Sequence, residues 1–575
     1  MFELAESPPP ADSCRVRPWW REWEVAALVV FVLAVYFSRL TTLTIRGEES
    51  RRAMVACQML ETGDWIVPRQ QHQLYFSRPP LGSWPIAVLG LIRGQVDLVA
   101  IRLPTACALL LTTVLVYGYS RRIMTRPGAL AAAVAFATMG QVLELGRLAE
   151  TEATFTLLVA SSLLIWHWGY AARWPVTVTW ACGYALAALA GMAKGPQGPV
   201  YFVGPVFVFL IYNRDWKMLW SRAHLAGVAS FLVVLGTWQV PYYLATDLES
   251  VRKIWFKLAS DRFVDNHPTV LSTHLIIYPI EVLVCMLPWS GLLSGYTLRK
   301  FRESLGPARP FVIFMTTCLL VTFPSVWFAT GARGRYYMPL YPCAAVLAGL
   351  VIDRCLSKSA CPQWRRGWQI YLSVAGVGVA FAGGTIATAS FSTLPPLAGF
   401  GQPLMFAAIY TIAMAAAALF LLRGCTGQAP YQTYAPFVLA GVMGLTYTGA
   451  VINVQVRHSD DSAARIVAIR AQLPPGEQLV SFGRVDHLFA YHYGDSIVAK
   501  PWPRRGRKTP EGVHYFCFNQ NPDVPKFRVG FAWEKVAVIP LDRNHQSEPE
   551  RRVVIGRRLP EPLTALRDTN RTKLR

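Results

Sequence analysis

Apolar residues occur along this chain in long, nearly uncharged blocks, not with the alternating spacing of a half-buried strand or a surface helix. Each block holds about 19–20 residues, enough for a helix to cross a hydrocarbon layer about 30 Å thick. We therefore predict a mainly α, polytopic membrane protein with about 13 transmembrane helices. The predicted spans are 24–41, 99–120, 128–146, 153–171, 177–193, 197–213, 224–245, 274–297, 311–330, 337–353, 368–391, 403–422 and 432–452.

Composition supports a membrane protein. Of the 575 residues, 53% are apolar and 16% are charged, whereas about 25% of an ordinary soluble domain is charged. The net charge of +22 raises the question of nucleic acid, but the cations are spread over many connections on both faces. This distribution argues against a nucleic-acid-binding protein and leaves membrane lipids as the expected surroundings.

Lys and Arg residues are concentrated in alternate short connections, which places those connections in the cytoplasm. The N-terminal segment 1–22 belongs to the same side and lacks the apolar core and cleavage site of a signal peptide. The transmembrane region is expected to cover 23–452. With an odd number of spans, the tail 453–575 lies outside the cytoplasm.

Two long outer loops interrupt the predicted spans, at 42–98 and 246–273. The first contains two amphipathic runs that we expect to form helices in the membrane interface. The tail differs in kind, because short apolar runs alternate with turns there. It predicts a small extracytoplasmic α/β domain, with strands at Gln478–Phe482, Val513–Phe518 and Val536–Pro540.

Acidic and basic residues meet at the outer ends of several predicted spans, where a charge is costly unless it is paired or functional. A carboxylate there can deprotonate or orient an acceptor hydroxyl, and Arg or Lys can bind a phosphate. We expect function for Glu48, Arg51 and Glu152, with Glu49 as a further candidate. We expect ion pairs that close loops for Arg46, Arg52 and Glu150.

Short motifs in the first outer loop follow a recognisable order. They are Arg-Gly-Glu-Glu-Ser-Arg-Arg-Ala (46–53), Met59-Leu60, Gly-Asp-Trp-Ile-Val-Pro (63–68) and Tyr-Phe-Ser-Arg-Pro-Pro (75–80). Later segments continue the order: Arg147 followed by Glu152, Ala-Lys-Gly-Pro (193–196), Leu-Pro-Trp-Ser (287–290) and the Tyr- and Pro-rich run 331–342. Together they resemble the GT-C glycosyltransferases, in the branch of the protein O-mannosyltransferases and the bacterial lipid A aminoarabinose transferases.

The sequence departs from that family pattern at three places. Glu48 and Glu152 replace aspartates, and Ser77-Arg78 replaces a Glu-Lys pair. Each Glu carries its carboxylate farther from the backbone by one methylene, about 1.5 Å. Ser77 removes a carboxylate that could have held a cation. We therefore expect no cofactor and no metal site, with a divalent metal left as an open alternative.

The resemblance implies a GT-C fold in the bacterial inner membrane, with the N-terminus cytoplasmic and the C-terminus periplasmic. It implies transfer of a sugar, with inversion, from a polyprenyl-phosphate donor to a lipid, glycan or protein acceptor, as in lipid A or protein glycosylation. The implied catalytic residues are Glu48, Glu152 and Glu49. The donor phosphate would be bound by Arg51, Arg78, Lys194, Arg333 and Arg335, and the cavity would be shaped by Tyr75, Tyr337, Tyr341 and His267.

A polytopic transporter or flippase is the alternative, because such proteins also place charges in the membrane. Glu144, inside the third predicted span, is the residue that favours it. The absence of an inverted sequence repeat argues against it. For the basic outer tail, three roles stay open: a lid over the site, a surface for an anionic acceptor, and a solubilising domain.

Overall fold

The structure is a computed structural model, and most of the chain that it describes is helical, with a small sheet near the C-terminal end. The described residues are 19–260, 268–356, 362–392, 399–459, 462–502, 512–519, 531–541 and 552–559.

Helices of the first half include both long apolar segments and the short elements of the outer loop. They are α1 (Trp23–Val32), α2 (Glu49–Thr62), α3 (Trp84–Arg93), α4 (Leu98–Ser120), α5 (Arg126–Ala137), α6 (Gly140–Leu145), α7 (Thr151–Ala171), α8 (Val176–Lys194), α9 (Gln197–Tyr212), α10 (Arg222–Ala245) and α11 (Leu248–Ser260).

The second half of the described chain continues with eleven further α-helices of very different lengths. They are α12 (Pro268–Cys285), α13 (Arg299–Glu303), α14 (Arg309–Thr322), α15 (Pro324–Trp327), α16 (Tyr341–Leu356), α17 (Pro362–Phe391), α18 (Leu404–Gly424), α19 (Ala429–Leu445), α20 (Ile452–Arg457), α21 (Ser462–Gln472) and α22 (His487–Tyr493). A 3₁₀ segment, Gly334–Leu340, precedes α16.

Within the described part of the chain, eight helical segments are long and apolar enough to cross a membrane, and a bent pair, Thr269–Cys285 with Trp289–Thr297, would make a ninth. This confirms a multi-pass membrane protein. Helices occupy each of the predicted spans, but several are too short or too polar to qualify by themselves. The number of about 13 spans therefore stays a prediction.

Two predicted spans are broken, and the breaks contact each other. The span predicted at 128–146 is divided between α5 and α6, and the helix axis turns by 113° between α12 and Trp289–Thr297. Pro288 lies in this second break and has no N–H to continue a helix. Gly140 N donates to Leu287 O at 3.0 Å, and Trp289 Nε1 donates to Thr138 Oγ1 at 2.9 Å. One backbone N–H released by the first break thus finds its acceptor at the second, and a side-chain hydrogen bond joins the same two breaks.

The Gly-Asp-Trp motif ends α2 and turns the chain. Gly63 has φ +70°, the left-handed conformation that commonly follows the last turn of a helix. Asp64 Oδ1 then accepts hydrogen bonds from the backbone N–H groups of Ile66 and Val67, each at 3.0 Å. The chain continues through the antiparallel pair β1 (Arg69–Gln70) and β2 (Gln73–Leu74) before it reaches α3.

The C-terminal strands form one mixed sheet, which confirms a small sheet in the tail. They are β3 (Val480–Phe482), β4 (Val498–Lys500), β5 (Tyr515–Phe518), β6 (Trp533–Pro540) and β7 (Arg552–Arg558). Their order is β4-β3-β5-β7-β6, with β3 parallel to β4 and β5, and β7 antiparallel to β5 and β6. The helices α21 and α22 pack on this sheet through a common apolar cluster. The boundaries of the predicted domains are not tested by these observations.

Candidate active site

One enclosed polar cavity of about 120 Å³ brings together four separate parts of the chain. It is lined by residues at the start of α2, after β2, at the start of α7 and just before α16. The lining residues are Glu48, Arg51, Arg52, Tyr75, Ser77, Arg78, Glu150, Thr151, Glu152, Arg335 and Tyr336. The convergence of these distant segments makes the cavity the candidate active site.

Glu49 fixes the start of α2 and does not line the cavity. Its carboxylate accepts two hydrogen bonds from Arg102, at 2.7 and 2.8 Å, and one from Ala149 N at 2.9 Å. Both charged side chains are fully buried. Arg102 also donates to three backbone carbonyls of the segment 40–44. The structure therefore gives the predicted catalytic residue Glu49 a partner that holds α2 against α4.

Glu48 precedes Glu49 and lies in the cavity wall. It is the N-cap residue of α2, yet its side chain does not bond to the helix N-terminus. Its Oε2 lies 2.8 Å from Arg51 Nη1, one helical turn later, and both side chains are about a third exposed. Glu48 is thus the most accessible of the three cavity carboxylates, which suits a group that must meet a substrate.

Glu150 also belongs to the cavity, although the sequence predicted a loop-closing ion pair for it. Its Oε1 accepts a long hydrogen bond, 3.4 Å, from Glu48 N, and lies 3.5 Å from Arg335 Nη1. Burial and the nearby Glu152 carboxylate raise the pKa of Glu150 to about 7. The cations Arg335 and Arg52 oppose this rise. Glu150 is consequently a carboxyl group that changes protonation near neutral pH.

Arg52, for which the sequence predicted the same loop-closing role, connects two cavity walls. Its Nη1 donates to the Tyr75 hydroxyl at 2.9 Å, and its Nη2 donates to Thr151 Oγ1 at 2.8 Å. The side chain is almost completely buried. Arg52 therefore joins the outer loop to the start of α7 and adds a positive charge to the cavity.

Glu152 and Lys194 form a buried ion pair. Lys194 Nζ lies 3.0 Å from Glu152 Oε1, and the two side chains are 0% and 4% exposed, respectively. The ammonium also lies 4.9 Å from the centre of the Tyr336 ring, within the range of a cation–π contact. Glu152 lines the cavity, but Lys194 stands behind it. The charge of Lys194 is matched by Glu152, and Lys194 is not among the residues that line the cavity.

The other predicted phosphate ligands separate into two groups. Arg51, Arg78 and Arg335 line the cavity. Arg333 is exposed and lies outside the lining. Arg335 Nε is buried and has no hydrogen-bond partner among the described residues, so the guanidinium retains donor capacity for a ligand.

The predicted tyrosines also differ in position. Tyr75 lines the cavity, whereas the hydroxyls of Tyr337 and Tyr341 donate to the backbone carbonyls of Leu319 and Gly334. These two side chains hold the segment before α16 in place. Tyr336, which was not predicted, reaches the cavity. The remaining cavity prediction, His267, lies outside the described residues.

Positive charge exceeds negative charge in the lining. Four guanidinium groups face three carboxyl groups, and one of those carboxyls, Glu150, has a raised pKa. In the described part of the chain, no group of three or more His, Cys, Asp or Glu side chains is arranged to hold a metal ion. The cavity can therefore accommodate an anion next to an ionised carboxylate.

Sequence comparisons find related transferases. The family model described as "Dolichyl-phosphate-mannose-protein mannosyltransferase" matches residues 77–239. A relative from Pseudomonas aeruginosa, named undecaprenyl phosphate-alpha-4-amino-4-deoxy-L-arabinose arabinosyl transferase, is 27% identical over 53% of this chain and 55% of its own length. The relative of that name from Edwardsiella ictaluri is 26% identical over 78% of this chain and 81% of its own length. The chain thus spans about half the length of the first of these relatives.

A comparison with solved structures shows the fold. The crystal structure of ArnT from Cupriavidus metallidurans bound to undecaprenyl phosphate matches with a TM-score of 0.68 and 20% identity, over 92% of this chain and 97% of ArnT. The apo state of the same protein gives a TM-score of 0.63.

In fold the chain is similar to ArnT, and in sequence it is similar to the mannosyltransferase family model and to the named arabinosyl transferases. Both findings confirm the resemblance to the GT-C glycosyltransferases that its motifs predicted.

Proposed function

We propose that this protein is a membrane glycosyltransferase that transfers a sugar from a polyprenyl-phosphate donor to an acceptor. The observation that carries the proposal is the meeting of Glu48, Glu150 and Glu152 with four arginines in one cavity. An anionic leaving group requires the cations, and an acceptor hydroxyl requires a carboxylate. The ArnT-like relationship supports this combination over a simple anion-binding site.

In this reaction, Arg78 and Arg335 bind the donor phosphate and stabilise the charge that develops on it. The acceptor oxygen forms a bond to the anomeric carbon while the bond from that carbon to the phosphate oxygen breaks. Glu48 takes the acceptor proton, and polyprenyl phosphate leaves with its electron pair. Glu152, fixed by Lys194, helps to position Arg335 and the acceptor. Attack opposite the leaving group inverts the anomeric carbon.

The finer features are part of the same proposal. We place the protein in the bacterial inner membrane with about 13 spans, a cytoplasmic N-terminus and a periplasmic C-terminal domain. The proposed acceptor is a lipid, a glycan or a protein, and the names of the relatives support an undecaprenyl phosphate carrier. They favour a transferase over the transporter alternative, and Glu144 is an exposed side chain that accepts a hydrogen bond from Gln141.

Purified protein incubated with radiolabelled undecaprenyl-phosphate sugars and a panel of acceptors tests the proposal. The expected result is acceptor-dependent release of undecaprenyl phosphate. We expect Glu48→Gln to reduce this release about 10²- to 10⁴-fold. We expect Glu152→Gln to lose the release as well. Glu61→Gln is the matched control, because Glu61 lies in the same helix on an exposed position. Release that is unchanged in both site variants would overturn the site assignment. Movement of the intact donor across a bilayer without its cleavage would overturn the proposal that the protein is a glycosyltransferase.

A further inference from the structure

A second polar cavity, of about 280 Å³, lies beside the candidate active site. One wall comes from the first outer loop and the other from the C-terminal domain, which contributes Arg484, Val485, Asp486, His487 and Asn519. Arg51, Tyr75 and Ser77 line both cavities. The two cavities are therefore neighbours, and these three shared side chains lie between them.

Specific contacts hold the two walls together. The Gln71 side-chain amide donates to Val485 O at 2.8 Å and accepts from Val485 N at 3.2 Å. Ser50 Oγ lies 2.7 Å from His487 Nδ1. Gln71 and Ser50 are both buried, so these hydrogen bonds are shielded from water. The cavity is consequently a built feature of the domain contact and not a loose gap between two surfaces.

Arg484 supplies a positive charge that no carboxylate balances within the described residues. Its Nε donates to Gln73 Oε1 at 2.8 Å and its Nη2 donates to Leu74 O at 2.6 Å. Both partners are neutral, and no hydrogen bond from a described residue occupies Nη1. A guanidinium held in this way is oriented by the protein while its charge stays available to an anion.

The other lining groups indicate a hydrophilic ligand. Asn519 Oδ1 accepts from Asp486 N at 2.9 Å, and its amide N–H groups have no partner among the described residues. The Asp486 carboxylate is used to accept from Leu488 N at 2.7 Å. Val485 is the one aliphatic residue in the lining. These walls suit a polar head group better than a lipid chain.

Taking the proposed transferase function as its basis, we propose that this second cavity is an acceptor subsite. It would bind an oxyanion of the acceptor, a phosphate or a carboxylate, with Arg484 as the residue that recognises it. Asn519 would donate a further hydrogen bond. The acceptor hydroxyl would then extend past Tyr75 and Ser77 toward Glu48. The C-terminal domain would thereby select the acceptor, while the membrane region binds the donor.

Equilibrium binding of small anionic sugars to the full-length protein tests this assignment. The protein is first saturated with undecaprenyl phosphate, so that the donor phosphate site is filled. Glucose 1-phosphate, glucuronate and glucose are then titrated separately. We expect one or both anions to bind and glucose not to bind. Binding of glucose 1-phosphate would show that the site takes a phosphate, and binding of glucuronate would show that it takes a carboxylate. We expect Arg484→Gln to weaken anion binding about tenfold or more, because a charge-assisted hydrogen bond is lost.

Gln73→Ala tests whether Arg484 acts by binding the anion or by holding the C-terminal domain against the outer loop. It removes the side-chain acceptor of Arg484 but keeps the cation, and Gln73 does not line the cavity. Anion binding should survive in Gln73→Ala and in the surface control Arg470→Gln, whose partner is Asp495. Equal loss in Gln73→Ala and Arg484→Gln would overturn the assignment, as would the absence of anion binding in the unmodified protein. Undecaprenyl phosphate binding should stay unchanged in Arg484→Gln, whereas its absence in the unmodified protein would be a failure of the proposed function instead.

Discussion

Arg102 and Glu49 face each other with both carboxylate oxygens bonded, at 2.7 and 2.8 Å, and with neither side chain accessible to solvent. The pair joins α4 to the first turn of α2, the turn that also carries Glu48 and Arg51. The geometry of the Glu48 carboxylate therefore depends on an ion pair that lies outside the cavity lining.

Arg102→Met should destabilise the protein by about 3–5 kcal/mol, because it leaves a buried Glu49 carboxylate without its counter-charge. Thermal unfolding in detergent measures the effect. Arg299→Met is the control, since Arg299 forms an exposed pair with Glu303 that is worth about 0.5 kcal/mol or less. Equal shifts of the unfolding temperature in the two variants would contradict the role assigned to Arg102.

Gly47→Ala should lower transferase activity more than stability alone explains. Gly47 has φ +59°, and an added Cβ would lie 3.0 Å from Glu150 Oε1. A left-handed backbone costs a non-glycine residue about 1–2 kcal/mol. Gly94→Ala is the matched control, because Gly94 has φ +75° but no atom within 4 Å of the added Cβ. We expect similar thermal shifts in both variants and a loss of activity in Gly47→Ala alone. An equal loss in Gly94→Ala would refute the contact with Glu150.

The contribution of Glu150 to stability should fall as pH rises through the interval from about 4.5 to about 7. The pKa of Glu150 is raised from 4.5 to about 7 in the folded protein, so the folded state binds more protons than the unfolded state in that interval. The contribution of Glu150 is therefore complete below pH 4.5 and is lost by pH 7, with a magnitude of up to about 3 kcal/mol. Glu150→Gln should remove this part of the pH dependence, measured as the difference in unfolding temperature between the variant and the unmodified protein at pH 5 and at pH 8. Glu61→Gln should retain it, and a slope that is identical in all three proteins would contradict the raised pKa.

Arg335→Gln should weaken undecaprenyl phosphate binding about 10- to 100-fold, because hydrogen bonds to charged groups contribute about 1.5–3 kcal/mol. Arg333→Gln should have a smaller effect, since Arg333 lies outside the cavity lining. Tryptophan fluorescence or scintillation proximity with labelled undecaprenyl phosphate measures both. A larger effect at Arg333 than at Arg335 would show that the donor phosphate binds away from the cavity.

The sequence predicted the membrane class, the outer-loop helices and a C-terminal sheet, because each depends on local patterns of apolar residues and turns. The spacing of Glu48 and Arg51, one helical turn apart, likewise predicts their contact. Pro288 marks the break after α12, but the break after α5 could not be predicted, since it depends on a contact between residues 151 positions apart. Apolar composition alone gives a continuous span at both places.

Within the site, the sequence identified the charged residues better than it assigned them roles. Glu150 and Glu152 are two positions apart and chemically identical, and the end of α8 decides which of them meets Lys194. Arg333 and Arg335 are separated by the same interval, and the 3₁₀ segment turns one toward the cavity and leaves the other exposed. Such distinctions depend on tertiary packing, to which a single sequence gives no access.

The contact between Gln71 and Val485 joins positions 414 residues apart. Every lining residue of the first cavity has been synthesised by about residue 340, whereas the far wall of the second cavity consists of residues 484–487 and Asn519. Under the proposed function, the order of synthesis separates the two cavities in time, because the lining of the donor cavity is complete in the chain before the far wall of the acceptor subsite is made. Damage confined to the last hundred residues would then remove a wall of the acceptor subsite and leave every lining residue of the donor cavity in the chain.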